Sequence, residues 1–173
     1  MYNTPLTAYR HSCGKIIGGI KSVALIERCK IASFEISADE NSYGGVNIQT
    51  GEGFAIFRFA EGAARYNEVC RREDGMISVT HSIEFKIDRM DNGSRNLLRE
   101  MAAASLCGLI AIVTTTQSDS LVVGYSEELL GESPLRLSEA KGTSGKEYTD
   151  HCGETVTLMS HDISKARVFT GTV

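Results

Sequence analysis

From Met76 to Asp88 the chain alternates without a break between apolar and polar side chains. Ile77, Val79, His81, Ile83, Phe85 and Ile87 fall on one side of an extended backbone, and Ser78, Thr80, Ser82, Glu84, Lys86 and Asp88 on the other. A period of two predicts a strand with one buried and one wet face. At about 3.3 Å per residue it reaches roughly 40 Å, about twice the ordinary strand length. A strand this long curves, crosses between sheets or extends beyond its own domain. Its intact polar side predicts a sheet with one face toward water or a polar lumen. Ser78, Thr80, Ser82, Glu84, Lys86 and Asp88 are therefore the candidate lumen or solvent face.

The period then changes. Asp91-Asn92-Gly93 is turn chemistry, Ser94 is a candidate N-cap, and Leu97, Leu98, Met101, Ala104 and Leu106-Cys107 form an apolar stripe. The spacing predicts one helix over about 94–107, closed by Gly108, with its stripe expected in the core. Leu109 to Val113 is apolar throughout, as in a strand buried on both faces. With the polar loop 114–120 and Leu121 to Tyr125 it predicts a central hairpin.

Weaker strand patterns lie at 22–28, at 30–37 (Ala32, Phe34 and Ile36 on one face), at 54–59, around Leu135 and Leu137, around Val156 and Leu158, and at 166–169 as a last edge strand. Gly-rich polar stretches at 37–53 and 139–153 read as long loops, and residues 1–21 as an extended N-terminal arm. The fold class expected is α+β and β-rich: a mainly antiparallel sandwich or barrel with one packed helix and long loops, in a single domain over 1–173.

Composition adds limits. With 173 residues, 42% hydrophobic and 23% charged, the chain is large and apolar enough to bury a real core. The net charge of −4 argues against a nucleic-acid clamp, which needs clustered Lys and Arg. The longest basic cluster, Arg71-Arg72, is followed by Glu73-Asp74 and reads as a solvated turn. Cys13, Cys29, Cys70, Cys107 and Cys152 are odd in number and scattered, and residues 1–12 have no apolar core of a signal peptide, so reduced thiols in a cytoplasmic setting are expected. The longest apolar run, 106–113, is too short to span a bilayer, so no membrane partner is expected.

Candidate chemistry is sparse. His11-Ser12-Cys13, His151-Cys152 and His161-Asp162 lack the paired spacing of a metal site. Cys152 beside His151, with Asp150 and Asp162 near in sequence, is the one nucleophile cluster, but adjacent strand residues point to opposite faces. Gly142-Thr143-Ser144-Gly145-Lys146 is two residues short of a phosphate loop, and Glu147 stands where Ser or Thr is needed. Asp39-Glu40 and Glu127-Glu128 sit in turns. His81, on the apolar face, is expected as a buried neutral ring. No catalytic, cofactor-binding or metal-ligating residue is assigned, and the protein is expected not to be an enzyme and to need no cofactor.

The layout of the second half resembles a family. Strand, helix, "LIAIV", polar loop and "LVVGY" are followed by "ESPLRLSEAKGTSGKEYTDHCGETVTLMSHDISKARVFTG". This is similar to small virion structural proteins of Bacteroides-type phages and prophages: tail-tube, tail-terminator and neck-ring-like subunits. The likeness runs from Ile77 to Gly171, and the first 60 residues add nothing to it. It implies a structural subunit that closes into homo-oligomeric rings or a tube, with long strands of neighbouring subunits sharing an inner barrel. The implied partners are further copies of the chain and other virion proteins, with DNA only as passing cargo, and the implied location is the virion. Tyr43, Val46 and Ile48 in the 37–53 stretch, and Ile16 and Ile17 in the arm, are the candidate subunit contacts. The competing expectations are a non-catalytic protein- or peptide-binding module and, behind it, an enzyme built around His151, Cys152 and His161.

Overall fold

A computed structural model describes residues 6–10 and 13–173. The chain runs β1 (Ile20–Glu27), a 3-10 turn (Arg28–Lys30), β2 (Ile31–Ile36), β3 (Ser42–Ile48), β4 (Ala55–Arg58), β5 (Ala64–Glu73), β6 (Met76–Asp88), α1 (Asn92–Cys107), β7 (Leu109–Thr115), β8 (Ser120–Val123), β9 (Arg136–Thr143), β10 (Gly153–Asp162) and β11 (Arg167–Phe169). The strands form two sheets, a seven-stranded one in the order β2-β3-β11-β8-β7-β1-β4 and a four-stranded one in the order β5-β6-β10-β9. Among the described residues, only β3 with β11 pairs in parallel. The fold is a β-rich sandwich-like arrangement with one helix, and its sheets do not close into a barrel.

Two cores explain why the first sheet is buried on both sides. Val23 and Leu25 of β1 with Ala111 and Val113 of β7 meet Ile83, Phe85, Val156 and Leu158 of the four-stranded sheet, and Met101 of α1 joins them. The alternate residues Ala24, Ile26, Ile110 and Ile112 pack with Ile31, Phe34, Tyr43, Val122 and Phe169. Because β1 and β2 share this second cluster while four strands lie between them in the sheet, the sheet must curl around it. Phe34, Tyr43 and Tyr125 pack as tilted and edge-on rings with centroids 4.8–5.9 Å apart, and Arg28 and Arg167 lie over the Tyr125 and Tyr43 rings.

β6 and the 109–123 hairpin lie where the periodicity predicts. Val79, Ile83 and Phe85 are buried, and no residue on the polar side is. Leu135 links the sheets: it exchanges two 2.8 Å backbone bonds with Leu109, and the chain then enters the second sheet as β9.

Several expectations are corrected. The N-cap of α1 is Asp91, whose carboxylate accepts from the Ser94 amide at 2.9 Å. Leu106 and Cys107 lie outside the buried stripe, with Leu106 77% exposed. The 37–53 stretch is not one loop, because β3 occupies its middle, and the 139–153 stretch is reduced to residues 144–152 between β9 and β10. Arg71, Arg72 and Glu73 belong to β5, and the turn is Asp74-Gly75. In β2, register shifts place Ile31 and Phe34 inside and leave Ala32 and Ile36 outside. β8 ends at Val123, before Gly124 and Tyr125. β11 is an interior strand between β3 and β8, not an edge.

Candidate functional site

The polar side of β6 belongs to a continuous outer face. Cross-strand partners share a face, so Thr80 stands between Val69 of β5 and His161 of β10, Ser82 between Asn67 and Met159, and Glu84 between Arg65 and Thr157. Lys86 and Thr155 extend the row to Lys141 on β9, and Thr157 extends it to Glu139. Arg65 pairs with Glu84 at 3.1 Å, Lys141 with Glu139 at 3.0 Å, and Thr80 Oγ1 lies 3.3 Å from His161 Nδ1. Charges of both signs share the face, with hydroxyls between them. Such a face gives phosphates no concentrated positive charge to hold.

Among the described residues, both outer strands of this sheet are unpaired on one side. β5 is 10 residues long and β9 is 8. Since each successive pair is antiparallel, β5 and β9 run in opposite directions. The β5–β6 ribbon also projects past its neighbour. The ladder of β6 with β10 stops at Val79 opposite Asp162, whereas that with β5 continues to Met76 opposite Glu73. Asp74 (φ 49°) and Gly75 (φ 85°) close the ribbon with two left-handed residues, as a two-residue hairpin of this twist requires. Val69, Met76 and Ile77 on it are 44–71% exposed.

Of the candidate subunit contacts, Ile16 and Ile17 are exposed at 70% and 54%. Tyr43, at 1% exposure, is in the second core, and Val46 and Ile48 pack against that core. Tyr43 is therefore removed from the surfaces a neighbour can touch. The reason is β3, which turns the expected loop into an inward-facing strand.

The inner face of the same sheet carries a buried polar cluster. Glu68, His81 and Ser160 lie side by side on β5, β6 and β10. Tyr66 Oη is 2.8 Å from His81 Nδ1, and Glu68 Oε1 is 3.6 Å from the same nitrogen. Burial is the main cause that holds the His81 imidazole below its ordinary pKa, against the opposing pull of Glu68 and Asp162. The Ser164 backbone adds to that opposing pull, and the Tyr66 hydroxyl also donates to Glu68 Oε1 at 3.4 Å. Burial pushes the Tyr66 phenol well up. Glu68 accepts from the Ala166 amide at 2.7 Å and pairs with Lys165 at 3.5 Å. Asp162 accepts from Ser126 Oγ at 2.8 Å and from the Ile163 amide at 2.6 Å. These bonds fasten the 163–166 turn to β5 and β10. Ser160 Oγ has no partner among the described residues, and the row contains no His–Ser hydrogen bond of the kind that activates a nucleophile. The cluster acts as a tie. Sequence reasoning placed His81 inside but missed its partners, because they come from positions 66, 68, 162 and 164 and only the strand register brings them together.

The other candidates fall apart in space or are internally spent. His151 Nδ1 is 3.7 Å from Asp88 Oδ1, and Cys152 is exposed. The amides of Lys146 and Glu147 both donate to Asp150 Oδ2 at 2.8 Å, so the glycine turn there is closed on its own carboxylate and not on a phosphate. Asp39 caps its own turn through Ser42 and Asn41, and these bonds hold its carboxyl low. Burial would raise the Glu128 carboxyl, but hydrogen bonds and Arg167 hold it low. His11 and Ser12 lie outside the described residues. Among the described residues, no group of three or more His, Cys, Asp or Glu is placed to hold a metal ion, and no helix is long and apolar enough to cross a membrane.

Comparison with protein-family models, curated proteins and solved structures finds no match to this chain.

Proposed function

We propose that this protein is a structural subunit of a phage or prophage tail or neck assembly, forming rings or a tube from copies of itself. The observation that carries the reading is the four-stranded sheet: two long free edges of opposite direction and an uncovered polar face. Free edges of this length invite pairing with another chain unless something blocks them. If β5 of one copy pairs with β9 of the next, the up-down alternation continues across the junction without a parallel pair. A head-to-tail contact of this kind repeats into a ring when the rotation closes and into a filament when it does not. The hydroxyl-rich face then lines the lumen, and its balanced charge lets DNA pass without being gripped. The resemblance of the 77–171 layout to virion subunits supports the same reading.

Negative-stain microscopy of the purified protein, with its solution mass from light scattering, tests it. Rings, tubes or a concentration-dependent oligomer are the expected result. A strict monomer at every concentration overturns the reading. A second reading draws on the same free edges: a non-catalytic module that takes an extended peptide as an added strand. It predicts a small closed species that binds peptide and does not polymerise.

A further inference from the structure

We propose that Leu6–Arg10 of one copy docks as an added strand in the cleft between β4 and α1 of a neighbouring copy. This rests on the homo-oligomeric reading above and names one of its contacts.

The cleft has a volume of about 200 Å³, and its floor includes Leu25, Phe57, Leu97, Met101 and Ala104. One wall is β4, a four-residue strand at the end of the seven-stranded sheet whose outer edge is unpaired among the described residues. An apolar cleft beside a free edge fits an extended segment that supplies both backbone bonds and side chains. The arm has what the cleft lacks. Leu6 is 102% exposed and Tyr9 85%, so neither buries apolar surface within its own chain.

Charge complements shape. Arg10 and Lys15 lie in the described arm, and no carboxylate occurs in the chain before Glu27. The cleft is rimmed by Glu27 and Glu100. Lys30, also on the rim, is already held by Glu27 and Glu52 at 3.0 Å each. Glu100 has no ion pair among the described residues. An acidic rim therefore faces a basic arm.

A second copy is the better occupant because the chain's own arm is tied elsewhere. Thr116 Oγ1 reaches the Gly18 carbonyl at 2.8 Å, the Thr116 amide donates to Gly19 O at 3.1 Å, and Gln117 Nε2 donates to Lys15 O at 3.4 Å. This fastens the arm beside the β7–β8 turn. The cleft opens on the opposite side of β1, against β4, near Leu25–Glu27 and roughly 20 Å along the strand from Ile20.

The test places a photo-crosslinking benzophenone amino acid at Tyr9 of the full-length chain and mixes two differently tagged preparations. The expected product joins the two tags, with the label on residues 55–57 or 97–104. Leu6→Asp should raise the concentration for half-assembly by roughly tenfold or more. Arg10→Glu and Glu100→Arg should each weaken assembly, and the two together should restore it, with circular dichroism showing each variant folded. A wild-type monomer overturns the assembly reading and this contact with it. Assembly that persists with Leu6→Asp at wild-type affinity, or cross-links confined to one copy, to another surface or absent, overturns the docking alone.

Discussion

His81 is 2% exposed between Tyr66, Glu68 and the backbone of the 163–166 turn. Its periodic position predicted burial, and burial sets its chemistry. With its pKa lowered in the fold, the ring stays neutral where an unfolded chain already takes up a proton. Stability is therefore complete above the unfolded value near 6.5 and is lost as the pH falls from there toward the folded value. Urea midpoints measured from pH 8 down to pH 5 should decline below about pH 6.5, and His81→Gln should flatten that decline while lowering stability throughout. An unchanged slope in the variant would remove His81 as the cause. Gly124 makes a second residue-scale prediction. It sits at φ 90°, and a Cβ there would meet Leu109 O at 2.6 Å and the Leu135 amide at 3.0 Å. Gly124→Ala should cost about 3 kcal/mol or more by chemical denaturation, through strain and overpacking at the junction of the sheets.

At the scale of elements, legibility followed how much apolar surface each strand spends on one face. β6 and β7 bury theirs over most of their length, so the pattern is unmistakable. β5 carries Ala64 and Tyr66 inward and then Glu68, Cys70 and Arg72, because its far half lies on the projecting ribbon with no core beneath it. Its sequence therefore reads as a turn. β3 was hidden by Gly44 and Gly45, whose missing side chains leave room for Ser37 and Glu35: a Cβ at Gly45 would lie 2.9 Å from Glu35 Oε2. The helix is joined to the second sheet by Arg95, which pairs at 3.1 Å with Glu154, a side chain 4% exposed. Arg95→Ala strands that carboxylate, and since Arg95 itself is half exposed the cost should be about 1–2 kcal/mol. Arg99→Ala on the exposed side of the helix should stay within about 0.5 kcal/mol. Phe85→Ala, which empties a site between the sheets against Phe57 and Phe59, should cost about 3–5 kcal/mol.

For the whole molecule, the proposed ring or tube places β5 of each copy in a junction. Cys70 lies on that free edge and Cys29 on the turn after β1, and both are exposed in the single chain. Assembly should slow maleimide labelling of Cys70 strongly and leave Cys29 reactive, read by mass spectrometry of peptides from assembled and dilute protein. Equal labelling of Cys70 in both states would place the junction elsewhere.

The amino-acid sequence by itself determined the long strand and its two faces, the single helix, the buried hairpin and the β-rich class. Each of these is local, since the periodicity of side chains along one segment states which face leaves water. Tertiary structure alone decided that β3 and β11 lie inside the first sheet, that Tyr43 faces a second core, and that Tyr66, Glu68, His81 and Asp162 meet. Strand order and register bring together residues more than a hundred positions apart, such as Tyr43 and Phe169, and no periodicity within one segment carries that information. The strand at 76–88 spans both cases. Its polar face was legible at once, but its place in the middle of a sheet with two open edges came only from the partners it pairs with.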